Sequence, residues 1–211
     1  MKKYLVMAVI ALCAVACGDD DEPTPKITED EKTIDATSYS DWTYINLETG
    51  ATQVVKDYSK WYYAGDKTYA EAQAKESDIT IDWHIAIHRF NVKTNKGGAV
   101  ETSATALSDL TTIPSSGYTT DVEITTDSKV ITDLSKMMSG NVGYASSGTL
   151  NEVLGNWVTR SGSMGAFVYT LSGKVYVVKF ADGSYAKLKF TDHSNAEGTT
   201  GHVTFAYEYV K

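Results

Sequence analysis

From Thr33 onward, apolar and polar residues alternate in several runs separated by turn-forming residues. The clearest run sets Ile79, Ile81, Trp83, Ile85 and Ile87 on one side and Thr80, Asp82, His84, Ala86 and His88 on the other. This predicts a half-buried strand of about nine residues. Residues 174–180 and 185–190 flank Ala181-Asp182-Gly183-Ser184, where Asp-Gly suits the positive φ angles of a tight turn, so a hairpin is expected there. Val203, Phe205, Tyr207 and Tyr209 give a closing strand. Helical periodicity is scarce. Residues 68–75 are one short candidate. A second opens at Thr149, whose hydroxyl can cap while Glu152 reaches back, and it sets Leu150, Val153, Leu154 and Trp157 on one face. The pattern predicts a single, mainly β domain over residues 33–211, built of antiparallel sheets with few short helices and no internal repeat.

The N-terminus follows a different pattern. Lys2 and Lys3 precede an apolar run over residues 4–15, too short for the ~20 residues that cross a bilayer as a helix. The run ends at Ala14-Val15-Ala16-Cys17, small residues followed by a thiol. Residues 1–16 are therefore expected to be a lipoprotein signal peptide, and Cys17 the lipidated residue that anchors the mature chain. Residues 17–32 are polar and acidic, contain Pro23 and Pro25, and lack apolar periodicity, as a flexible tether would. Within them, Asp19-Asp20-Asp21-Glu22 is either a solvated charge run or a cluster similar to the surface-export signal of Bacteroidota lipoproteins. The second reading implies the outer membrane, with the domain facing the cell exterior.

Composition narrows the chemistry. Removing Lys2 and Lys3 from nineteen basic residues leaves seventeen against twenty-seven acidic ones, a net charge of −10, which argues against a nucleic-acid partner. Cys13 lies in the signal segment, so the processed chain has no disulfide available and must rely on packing. Fourteen Tyr, four Trp and abundant Thr suit strands. The sequence has no Gly-x-Ser-x-Gly elbow, phosphate-cradling glycine loop or Cys-x-x-Cys pair, so no enzymatic activity is expected. His84 and His88 would share a metal ion on a helix. On a strand, four residues at ~3.3 Å each set them about 13 Å apart, and each ring is expected to pack or hydrogen-bond locally. His193 and His202, in a loop and a strand, read as surface or packing residues.

Methionine is placed less ordinarily. Met1 and Met7 lie in the signal segment, and the other three, Met137, Met138 and Met164, all fall between Asp133 and Gly165. That stretch also carries Gly140, Gly143, Gly148, Gly155, Gly162 and Gly165. Two readings stay open: flexible side chains filling gaps beneath long loops, or soft sulfur ligands, Met137 and Met164, supplied by separate loops to a metal or a large flat ligand.

Several segments together resemble the HmuY-like haem-binding lipoproteins, over about Thr33 to Lys211. They are Ile34-Asp35-Ala36, Trp42-Thr43-Tyr44, Asp82-Trp83-His84-Ile85-Ala86-Ile87-His88-Arg89, Asn91-Val92-Lys93-Thr94-Asn95 and Gly97-Gly98-Ala99. Beyond these come Ile113-Pro114, Gly117-Tyr118-Thr119, Asp121-Val122, Ala181-Asp182-Gly183, the run from Ala186 to Asp192, and the closing run from Gly201 to Tyr207. Their order and spacing carry the likeness, while His84 departs from it, standing where Asp is expected after the Trp. The resemblance implies an all-β domain that captures haem (iron protoporphyrin IX) between two projecting loops, works beside a TonB-dependent outer-membrane receptor and catalyses nothing.

The founding type of that family holds the iron with two histidines from the stretch corresponding to roughly residues 125–165, where this chain has none. In their place stand Asp133-Leu134-Ser135-Lys136-Met137-Met138-Ser139-Gly140 and Ser161-Gly162-Ser163-Met164-Gly165, which resemble the methionine-ligated branch. The resemblance thus implies Met137 and Met164 as axial iron ligands. Met138 is the alternative to Met137, because neighbours on an extended segment point opposite ways. Trp157, Tyr144, Phe167 and Tyr169 neighbour these loops and are candidates either to stack on the macrocycle or to belong to the core. The alternative function is a non-haem surface binder or adhesin on the same fold, which an acidic surface rich in Tyr and Trp would also suit.

Overall fold

The computed structural model describes residues 30–163 and 166–211. The expected signal peptide, Cys17 and Met164 lie outside those residues. Among the described residues the strands form five antiparallel sheets, with one short α-helix, Glu152–Gly155, and isolated 3-10 turns. The fold is mainly β, as the alternation predicts.

The largest sheet has six strands, in the order Asp30–Asp35, Thr200–Val210, Tyr185–Ser194, Tyr176–Lys179, Gly98–Glu101 and Thr119–Thr120. Its first strand starts at Asp30, inside the segment read as tether, because the chain there pairs with the closing strand and Ile34 meets Val203 in the core. The hairpin around Ala181-Asp182-Gly183-Ser184 forms as expected. Gly183 takes φ 92° and its N–H donates to the Phe180 carbonyl at 3.1 Å.

A four-stranded sheet, in the order Thr52–Lys56, Asp41–Ile45, Ile85–His88 and Asn91–Thr94, lies between two cores. Alternation along its strands explains both. Ile45, Ile85, Ile87 and Val92 pack with Tyr176, Leu188, Phe190 and Phe205 of the six-stranded sheet. Trp42, Tyr44 and Ala86 point the other way, into a second cluster with Ile124, Val130 and Ala145. Each large apolar side chain fully buried in this way contributes about 1.5–3 kcal/mol.

Three local expectations change. Only Ile85–His88 of the long alternating run is a strand. Upstream, Gln53 Oε1 accepts from Thr80 N at 2.8 Å and Ile81 N at 3.3 Å, so a side chain replaces the ladder that would have continued it. Residues 68–75 are not helical; Thr68–Ala70 is a strand paired with Trp61–Tyr63. The paired edge rewards extended backbone there, and the Tyr62 and Tyr69 rings meet at 5.1 Å. The helix near Thr149 starts later, at Glu152, because Asn151 caps it by accepting from Leu154 N at 3.0 Å. Thr149–Leu150 is instead a short strand.

Candidate functional site

Two hairpins carry the methionine segments. In the first, strands Ile131–Asp133 and Gly143–Ala145 pair, and the connection contains a 3-10 turn, Met137–Ser139. Hydrogen bonds along its own backbone hold this turn. Met137 N–H donates to Leu134 O at 2.9 Å, Gly140 N–H to Met137 O at 2.9 Å, and Gly140 closes the turn in the left-handed region at φ 73°. Asp133 braces its root by accepting from Tyr63 OH at 2.7 Å and Ser135 N at 2.7 Å. Burial works against the Asp133 carboxylate, but these hydrogen bonds outweigh it and hold the pKa below the ordinary carboxylate value.

The turn sets its methionines outward. Met138 is 94% exposed and Met137 40% exposed, so neither fills a gap beneath a loop. The backbone is a turn rather than an extended segment, so the two side chains diverge by the roughly 120° step of a 3-10 helix rather than by 180°.

In the second hairpin, Val158–Ser161 pairs with Val168–Leu171. Met164 belongs to its connection in sequence and lies outside the described residues. Of the aromatic candidates nearby, Trp157 belongs to the core: it is 0% exposed, stacks on Phe190 at 4.6 Å and donates from Nε1 to Phe90 O at 2.9 Å. Its place among the stacking candidates is therefore corrected. Phe167 is exposed beneath the Arg160 guanidinium, at 4.5 Å. Tyr169 is half-buried between Phe90, at 5.2 Å, and His193, at 5.0 Å. His193 sits in the strand Tyr185–Ser194 rather than in a loop. Tyr144, half-buried, lies in the first hairpin opposite Ile131 and Tyr62.

Between the roots of the two hairpins lies a cavity of about 220 Å³ with Tyr39, Arg89, Phe90, Lys129, Arg160 and Tyr169 in its wall. These residues come from well-separated parts of the chain, and the sequence gives no periodic signal that joins them. A larger cavity, of about 360 Å³, has Tyr58, Trp83, Lys93 and Asp121 in its wall, and no described residue of either methionine hairpin lines it.

The two histidines of the alternating run do not face one another. A bend at His84 sends its ring to Phe180 and Tyr209, and its Nδ1 accepts from Leu47 N at 3.0 Å. His88 packs on Trp42, and its Nε2 donates to Tyr39 O at 2.7 Å. Burial lowers the pKa of both, so both stay neutral near neutrality.

A family model described as HmuY protein matches residues 38–207. No curated protein sequence matches the chain. Among solved structures, an apo HmuY analog of Tannerella forsythia is 42% identical with a TM-score of 0.81, covering 90% of this chain and 100% of that one. A Bacteroides vulgatus protein described as HmuY-like and heme-binding is 34% identical, with a TM-score of 0.68 and coverage of 87% and 93%. A Bacteroides fragilis protein described as a lipoprotein is 30% identical, with a TM-score of 0.68 and coverage of 85% and 88%.

Proposed function

The chain belongs to the HmuY family, and from that premise we propose that it is a cell-surface haem-binding lipoprotein. On this reading it captures haem between its two methionine hairpins and passes it to an outer-membrane uptake receptor. The observation that carries the reading is the exposure of Met138 and Met137 on a turn braced from below. An apolar thioether gains nothing from water, and a rigid turn that holds two of them outward suits a ligand that covers them.

The residues present fit a haem. Met137 or Met138 from the first hairpin and Met164 from the second would hold the iron, which are soft donors suited to a haem axial position. When bound, the haem supplies the iron and a large flat apolar surface whose burial gives most of the affinity. Tyr144, Phe167 and Tyr169 offer ring surface beside the hairpins, and the Asp133 brace fixes where the first thioethers stand. Cys17 would tether the domain by lipid to the outer membrane, facing the exterior.

Titrating the purified domain with ferric and dithionite-reduced haem, and following the Soret band, tests this directly. Saturable shifts with both iron states are expected, since a thioether suits the ferrous ion at least as well as the ferric. No spectral change with either would leave the chain a surface binder of some other ligand.

A further inference from the structure

The cavity between the hairpin roots is cationic in a chain that is acidic overall. Arg89, Lys129 and Arg160 contribute to its wall and, among the described residues, no Asp or Glu does, while the whole chain carries a net charge of −8. Among the described residues none of the three stands in an ion pair. Arg89 is held by neutral partners only: its Nη1 donates to Thr37 O at 2.8 Å and Thr200 O at 3.3 Å, and its Cζ lies 4.5 Å from the Tyr39 ring centre. Gly201, at φ 101°, keeps the space for it, since a Cβ there would meet the guanidinium. Arg160 likewise rests on a ring, Phe167. Arg89 and Lys129 are also two of the four described non-glycine residues with left-handed backbone, at φ 54° and 52°. Strain of this kind persists where the surroundings hold it in place.

Positive charges in a cleft where no described residue supplies a carboxylate, two of them resting on dipoles or ring faces, are a receptor for anionic groups, and an arginine fork matches a carboxylate in shape. Resting on the haem reading above, we propose that Arg89, Lys129 and Arg160 receive the carboxylates of the tetrapyrrole, so that its acidic edge is directed toward the roots of the two hairpins. The methionines then hold the metal from the connections, and the cationic cleft sets which way round the ring enters. A ligand of the same ring size without free carboxylates loses this set of contacts.

Haem and its dimethyl ester, titrated side by side by the Soret band, read this out. Wild type is expected to prefer haem by about tenfold or more, a factor worth about 1.4 kcal/mol. Combining Lys129→Gln with Arg160→Gln, both exposed positions, should remove most of that preference by weakening haem and leaving the ester unchanged. The charge-retaining pair Lys129→Arg with Arg160→Lys should keep it. Equal affinity of wild type for the two ligands, or an undiminished preference in the Gln pair, would overturn the assignment while leaving haem binding intact. If neither ligand shifts the Soret band of wild type, the haem reading fails and takes this assignment with it.

Discussion

Met138 is 94% exposed and Lys93 only 4% exposed, each the reverse of what its chemistry favours. The methionine placement is what the proposed ligand would account for; the lysine finds its partners inside the fold. Lys93 Nζ lies 4.2 Å from the Trp42 ring centre, within 5.8 Å of those of Tyr44, Tyr58 and Trp83, and donates to Tyr44 OH at 3.1 Å. Burial brings its pKa down to about 8. Between that value and the ordinary 10.5 of a lysine, the unfolded chain binds more protons than the folded one, so stability rises with pH across the window. The ring faces favour the charged form, which limits the gain to at most on the order of 3 kcal/mol. Above about pH 10 the trend reverses. Burial raises the Tyr44 pKa and pushes those of Tyr63 and Tyr176 up to about 12, so the unfolded chain releases its phenolic protons first. Urea midpoints measured from about pH 7.5 to about 10.5 should rise and then fall, and Lys93→Met should abolish the rise. A midpoint that climbs equally in the variant would show that another group is responsible.

Strands and hairpins were legible where a two-residue period met a sheet buried on one face. The closing strand shows that period, and the Asp-Gly hairpin, whose strand Tyr176–Lys179 is buried on both faces, was legible from its turn residues instead; both formed. The run beginning at Ile79 carries the same period, yet at Thr80 and Ile81 its backbone pairs with the Gln53 side chain instead of a strand, and periodicity cannot distinguish those partners. Residues 68–75 became partly extended because a neighbouring edge, Trp61–Tyr63, was available, a fact of tertiary structure. The candidate site divides in the same way. The methionine segments show in composition, because glycine and methionine cluster there. The cationic cleft does not, because Arg89, Lys129 and Arg160 meet only once the sheets are stacked. The second hairpin offers a test at its own scale. Gly162 takes φ 89°, and a Cβ there would meet the Ala166 carbonyl oxygen. Gly162→Ala should therefore shift the Met164 connection and weaken haem binding by about tenfold, while the urea midpoint of the domain barely moves, because a peripheral hairpin can adjust locally. An unchanged haem affinity would show that the connection tolerates the strain.

In the whole molecule, two cores share one central sheet, and Trp157 joins the short helix to the larger of them. It touches Phe190 and Phe90 and is fully enclosed, so Trp157→Ala should cost about 3–5 kcal/mol and lower the urea midpoint sharply. A small loss would place this side chain outside the load on the core. The same rigidity gives the methionine hairpins a fixed base, the condition for thioethers on separate connections to meet one ligand. The most direct test of that idea is a Soret titration of Met137→Ala, Met138→Ala and Met164→Ala beside wild type. The account predicts that Met164→Ala, together with one of the other two, loses haem affinity by at least about tenfold while folding normally. Three variants that all titrate like wild type would contradict it.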